Sequence, residues 1–137
     1  MNLNAITKKY VGCPYKLGGN TCEEGFDCLS LIFAIASDLN LPIKESYWGV
    51  TLSSYSELWQ SQPEKAKRLL LRFISSLGKA VPVEKAFVGD LLILDTGGEL
   101  LVAMHAGHDL ILSAFTDIGV NLISRRPYKV RRAYRWA

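Results

Sequence analysis

The chain has 137 residues, a net charge of +3 and an apolar content of 49%. This length fits one domain, residues 1–137, with a hydrophobic core of its own. The small net charge is only weak evidence for an anionic partner, although the basic C-terminus could meet nucleic acid or an acidic surface. No segment has the length and apolarity of a membrane span or the pattern of a signal peptide. We therefore expect synthesis in the cytoplasm, with transport inside a larger particle such as a virion left open.

Three cysteines lie in the first fifth of the chain, at Cys13, Cys22 and Cys28. Because the number is odd, at least one thiol of a monomer stays unpaired. A Cys13–Cys22 disulfide is not expected in a reducing compartment. The spacing lacks the close cysteine pairs of a structural zinc site, so we expect neither a metal nor another cofactor.

The first half of the chain has helical patterns. Residues 4–10 predict a short helix, and a loop rich in turn residues then runs from Cys13 to Asp27. A third feature is a strongly apolar helix that begins at Cys28, with Asp27 as its N-cap and a stop at Asn40 before Pro42. Two further helices are predicted at residues 53–59 and 64–77, and Gly78 is expected to end the second of them.

In the second half of the chain, apolar and polar residues alternate with the period of β-strands. Strands are predicted at residues 89–94, 100–106, 110–115, 120–123 and 129–135, with short turns between them. Helices followed by an antiparallel meander indicate an α+β fold, because a parallel sheet would alternate strands with helices. The basic residues near the C-terminus are interpreted as the outward-facing side chains of the last strand.

Cys28 is the principal candidate for chemistry. A thiol at the N-terminus of a helix sees the positive end of the helix dipole, which favours the nucleophilic thiolate. The alternative is a small apolar residue that simply packs at the start of the helix.

The residues around Cys28 resemble a known family. Pro14-Tyr15, Gly18-Gly19, Gly25, Asp27-Cys28 and Leu31 match a Pro-Tyr-x-x-Gly-Gly loop followed by Gly-x-Asp-Cys-Ser-Gly-Leu, the pattern of the NlpC/P60 family of papain-like cysteine peptidases. Leu29 and Ser30 stand where Ser and Gly are usual, and the later Gly89-Asp90-Leu-Leu segment also follows the pattern. The resemblance implies a papain-like α+β fold in which N-terminal helices pack on an antiparallel sheet of about five strands.

The resemblance also implies the roles of single residues. Cys28 corresponds to the nucleophile, and Tyr15 to a tyrosine that can polarise the substrate carbonyl in an oxyanion-type role. The family's general base falls on Leu101 and the group that orients the base falls on Ser113, so we expect Leu101 to face Cys28 with Ser113 beside it. Without an imidazole partner, the pKa of the Cys28 thiol should lie near about 8.5.

The two histidines are weaker candidates. His105 shares a strand face with Leu101, but four residues along a strand span about 13 Å, beyond hydrogen-bond reach. It is kept as an alternative base, whereas His108 is predicted to be an exposed turn residue.

Three functions remain open at this stage. The first is a non-catalytic or crippled module that keeps its groove for binding or assembly. The second is an active cysteine endopeptidase or amidase that cleaves bacterial cell-wall peptides, as the family usually does. The third is a structural component of a larger assembly, for example a phage tail tip. The expected partner is thus a cell-wall peptide or a protein of such an assembly.

Overall fold

The computed structural model describes residues 2–41, 46–47, 50–51, 55–97 and 100–136. Four α-helices lie in the first part of the chain: α1 (Leu3–Tyr10), α2 (Cys28–Asp38), α3 (Tyr55–Ser61) and α4 (Pro63–Leu77). A two-stranded antiparallel ribbon, β1 (Ser46–Tyr47) and β2 (Val50–Thr51), lies between α2 and α3. The predicted Pro42 stop and the predicted start of a helix at Ser53 lie outside the described residues.

The rest of the described chain forms one sheet. Its strands are β3 (Gly78–Val81), β4 (Leu91–Asp95), β5 (Leu100–His105), β6 (Leu110–Phe115), β7 (Gly119–Ser124) and β8 (Lys129–Trp136). Their order across the sheet is β3-β8-β4-β5-β6-β7, and all neighbours are antiparallel. The predicted α+β architecture is therefore confirmed.

The sheet has one strand more than the five that were predicted. Gly78 ends helix α4 as expected, but the four residues from Gly78 to Val81 then pair with β8 along the edge of the sheet. A Cβ added at Gly78 would lie 1.9 Å from the backbone oxygen of Arg135, so only glycine allows this close approach. A short connection of nine residues (82–90), with a 3₁₀ turn at Val83–Lys85, leads from β3 to β4.

The helices cover one face of the sheet, because alternate residues of the strands are apolar on that side. One cluster joins α1 and α2 to β5, β6 and β7, through side chains such as Leu31, Met104 and Leu112. A second cluster joins α2 and α4 to β4, β5 and β8, through side chains such as Ile32, Ile74 and Val102. Helix α2 is thus held from several sides, and its N-terminus is fixed against the sheet.

A third cluster fills the opposite face of the sheet. It contains Leu92, Leu94 and Ala103, with the partly buried Leu101 packed against it. Among the described residues, no helix combines the length and the apolar character that crossing a membrane requires.

Candidate active site

Asp27 organises the start of helix α2. Its side chain accepts hydrogen bonds from the backbone N–H of Ser30 at 2.8 Å and of Gly18 at 2.7 Å, and from the hydroxyl of Tyr55. The Ser30 hydroxyl in turn accepts the backbone N–H of Asp27 at 2.9 Å, which completes a capping box. The predicted N-cap is therefore present, and the same carboxylate ties the Gly-rich loop and helix α3 to this point.

Cys28 is the first residue of α2, as the sequence predicts. It lines a cavity of about 490 Å³ together with the loop residue Tyr15, the helix residues Tyr55 and Trp59, and Leu101 of strand β5. The backbone N–H of Val102 also lies within interaction range of the thiol. The elements that the resemblance assigns to an active site thus meet around Cys28.

The thiol itself is not activated. Burial and the negative charge of Asp27 raise the pKa of Cys28 to about 12, and the N–H groups of Val102, Cys28 and Leu29 oppose this shift without overcoming it. The helix N-terminus therefore does favour the thiolate, as predicted, but the pKa of about 8.5 that was expected without an imidazole partner is too low. Desolvation and a neighbouring carboxylate disfavour the anion more than three backbone N–H groups stabilise it.

The position assigned to the general base holds an aliphatic side chain. Leu101 lies in the wall of the Cys28 cavity and is partly buried against the third cluster. An isobutyl group can neither accept a proton from a thiol nor return one to a leaving group.

Ser113, at the position assigned to the orienting group, is fully buried. Its hydroxyl donates to the backbone carbonyl of Val102 at 2.7 Å. The hydroxyl therefore links β6 to β5 at the residue that follows Leu101, and it has no place among the described residues that line the Cys28 cavity.

The two histidines both lie in the described part of the chain, and neither is among the residues that line the Cys28 cavity. His105 is the last residue of β5, four positions beyond Leu101 and on the same side of the pleat. Its Nδ1 accepts the backbone N–H of Gly107 at 3.0 Å, while burial and the charge of Arg125 lower its pKa. His108 is exposed in the following turn, with a left-handed backbone.

Two tyrosines flank the thiol. Tyr15 is half-buried, lines the cavity and forms a backbone bridge with Phe26, while its oxyanion-type role stays a prediction. Tyr55 was missed by the sequence analysis, although its hydroxyl donates to Asp27 and its ring contacts the cluster that includes Cys28. No local pattern marks Tyr55, because it reaches the site only through the packing of helix α3.

The loop before α2 is closed by a disulfide between Cys13 and Cys22, which corrects the expectation that these thiols stay unpaired. The loop folds back on itself through bridges between Tyr15 and Phe26 and between Thr21 and Gly25, and this brings the two Cα atoms to 4.9 Å. Such a separation suits a disulfide. Cys28 is then the remaining free thiol.

Among the described residues, no group of three or more His, Cys, Asp or Glu side chains is placed to hold a metal ion. The groove around Cys28 has largely apolar walls, and it contains a thiol with a raised pKa beside the buried carboxylate of Asp27.

Comparison with known proteins connects this arrangement to one family. The sequence profile of the NlpC/P60 family matches residues 12–135. No match was found among curated proteins.

Solved structures with the same fold include the NlpC/P60 domain of the peptidoglycan hydrolase SagA, which is 22% identical with a TM-score of 0.63 over 97% of this chain and 95% of that one. NlpC2 from Trichomonas vaginalis is 17% identical with a TM-score of 0.67, over 98% of this chain and 45% of its own. The peptidoglycan hydrolase RipB from Mycobacterium tuberculosis is 19% identical with a TM-score of 0.62, over 97% and 63%. The chain therefore spans nearly all of the SagA domain and less than two thirds of the other two proteins.

Proposed function

Because this chain belongs to the NlpC/P60 family, we propose that it is a member whose groove binds a bacterial cell-wall peptide, or a protein of a larger assembly, without hydrolysing it at a useful rate. The observation that carries the proposal is the Cys28 cavity, where Leu101, at the position that the resemblance assigns to the base, lines the wall and burial raises the pKa of the thiol. SagA and RipB are peptidoglycan hydrolases, which supports a cell-wall peptide as the ligand class.

The chemistry explains why this combination argues against turnover. Attack by cysteine needs a thiolate, and departure of the amine needs a proton donor. Burial and the adjacent Asp27 carboxylate raise the pKa of the Cys28 thiol to about 12, so the thiolate is scarce at pH 7. General acid–base assistance is worth roughly 10²–10⁴-fold, and its loss adds to that deficit.

The walls of the groove support retained binding. Tyr15, Trp59 and Tyr128 line the cavity beside the thiol, and aromatic walls with a few polar groups are typical of ligand sites. The larger assembly that the sequence suggests is a phage tail tip, in which such a groove would contact the wall or a neighbouring tail protein.

The first experiment measures turnover and binding on purified muropeptides. We expect no cleavage by the wild type, detected by mass spectrometry, and equal peptide affinity for the wild type and Cys28→Ala in calorimetry. Turnover that is lost in both Cys28→Ala and His105→Ala would contradict the proposal and identify His105 as the base. Turnover that is lost only in Cys28→Ala would mean that another group has replaced the histidine.

The second experiment restores the base. Leu101→His should give partial hydrolysis, and adding Ser113→His tests whether an orienting group increases it. The comparison variant is Leu100→His, because Leu100 lines the same cavity and packs against the cluster that Cys28 contacts, whereas Leu101 packs against the third cluster. Equal activity of the two single variants would show that Leu101 does not occupy the base position.

A further inference from the structure

Two cavities meet at helix α3. Beside the Cys28 cavity of about 490 Å³ lies a second cavity of about 770 Å³, which is lined by residues of α1, the Gly-rich loop and the outer side of α2. Among the described residues that line either cavity, Tyr55 is the one that lines both. Its side chain therefore stands at the boundary between them.

The Tyr55 hydroxyl is fixed at this boundary. It donates to Oδ2 of Asp27, the oxygen that also accepts the backbone N–H of Gly18, and it lies within hydrogen-bonding range of the Ser30 hydroxyl. Asp27 is almost fully buried. A hydroxyl bonded to a buried carboxylate is held more firmly than one bonded to a neutral acceptor.

The Tyr55 ring packs where it can shield the thiol. Tyr55, Trp59 and Cys28 contact the same apolar cluster, and the charge of a Cys28 thiolate would act on the Tyr55 hydroxyl. Phe87 makes a useful contrast, since its ring is exposed and is absent from the described lining of both cavities.

We propose that Tyr55 is the specificity-determining residue of the groove: anchored on Asp27, it separates the two cavities and restricts access to Cys28 to narrow ligands. An extended peptide that crosses from one cavity to the other must move the hydroxyl off Asp27. The inference deepens the proposed binding function, since it concerns which peptides the groove admits, and its test needs no knowledge of the natural ligand.

The test compares two reagents of the same chemistry and different size, iodoacetamide and an iodoacetamide derivative of fluorescein. Both are applied to the full chain at about pH 9 without reductant, so that Cys13 and Cys22 stay in their disulfide. The measured quantity is the ratio of the two alkylation rates at Cys28. Because both reactions need the same thiolate, the ratio is independent of any change in the pKa of the thiol.

Tyr55→Ala should raise the alkylation rate of the large reagent about tenfold or more relative to that of the small reagent, because alkylation would no longer require movement of the Tyr55 ring. Tyr55→Phe keeps the ring and loses the anchor, so a smaller change in the same direction is expected. Phe87→Ala is the control, because this exposed ring lines neither cavity, and it should leave the ratio within about twofold of the wild type.

An unchanged ratio in both Tyr55 variants would overturn the proposal, as would an equal change in Phe87→Ala. If Tyr55→Ala does not fold, as judged by its thermal transition, Tyr55→Phe decides alone. Hydrolysis of muropeptides by the wild type would overturn the proposed function and leave this ratio unaffected, so the two failures are distinguishable.

Discussion

The surroundings of the Cys28 thiol shift its pKa in opposite directions. Three backbone N–H groups favour its anion, whereas burial and the Asp27 carboxylate favour the protonated form. In the sequence the helix N-terminus and the adjacent Asp27 are both visible, because both are local, whereas the burial is not. The depth of burial depends on Tyr55 and the β5 strand, which are distant in sequence, and this is why the state of the thiol was not predicted.

Alkylation of Cys28 should follow this raised pKa. The rate should rise about tenfold per pH unit from about pH 7 to pH 10 without a plateau, as expected when the thiolate is a small fraction throughout. Since the folded pKa of about 12 lies above the unfolded value, the folded protein binds more protons in that window. The free energy of unfolding should therefore fall as the pH rises above about 9. A plateau of the alkylation rate below about pH 9 would contradict this prediction, provided that Cys28→Ser shows that the measured alkylation occurs at Cys28.

Asp27→Asn should separate the charge of this residue from its capping role. Asparagine remains a good N-cap, so the helix should persist, but the pKa of Cys28 should fall because a negative charge beside the thiol is lost. Weaker bonds to Gly18 and Tyr55 should cost about 1–3 kcal/mol in denaturant unfolding. Asp117→Asn is the control, because Asp117 lines the same cavity and is exposed. An equal shift of the alkylation profile in both variants would argue against a specific effect of Asp27.

The loop before α2 is the element in which sequence and structure differ most. Its turn residues were recognised, yet the fold-back that joins Cys13 to Cys22 depends on bridges such as Tyr15 with Phe26. Helix α2 was predicted from its first residue because a cap and an apolar run coincide there. Strand β3 was missed, because four residues after a helix have too little pattern to reveal an edge strand that is defined by its pairing with β8.

Reduction of the disulfide should destabilise the fold. Opening a loop of this length should lower the free energy of unfolding by about 3 kcal/mol, because the unfolded chain gains conformational freedom. The measurement is urea unfolding of the wild type with and without reductant, beside Cys28→Ser under the same conditions. Both proteins should lose stability equally. A Cys13→Ser/Cys22→Ser double variant as stable as the oxidised wild type would refute the prediction.

At the scale of the whole molecule, two arginines of β8 bind carboxylates at the two ends of β4, and the two ion pairs differ in burial. Arg135 binds both oxygens of the almost fully buried Asp90 at 3.0 Å, and Asp90 also accepts the backbone N–H of Phe87. Arg131 binds Asp95, which is less buried, through one carboxylate oxygen. Removal of the two arginines should therefore have unequal effects.

Arg135→Ala should lower the melting temperature clearly more than Arg131→Ala. The first substitution leaves a buried carboxylate without its cation, which is costly, whereas exposed ion pairs contribute little. Differential scanning calorimetry of both variants at pH 7 checks this. The difference in melting temperature between Arg135→Ala and Arg131→Ala should be smaller when Asp90→Asn is also present. Equal melting temperatures for the two single variants would show that Asp90 is satisfied without Arg135.

The position of β8 between β3 and β4 has a consequence for the order of events during synthesis. The ribosome releases β4, β5, β6 and β7 first, and these can pair as a meander while the place beside β4 stays empty. Until residues 129–136 emerge, the nascent sheet has an open edge at Leu91–Asp95 and β3 has no partner. An unpaired edge of such apolar sequence can pair with another chain. The interval before β8 inserts is therefore when a nascent chain is most exposed to misassembly.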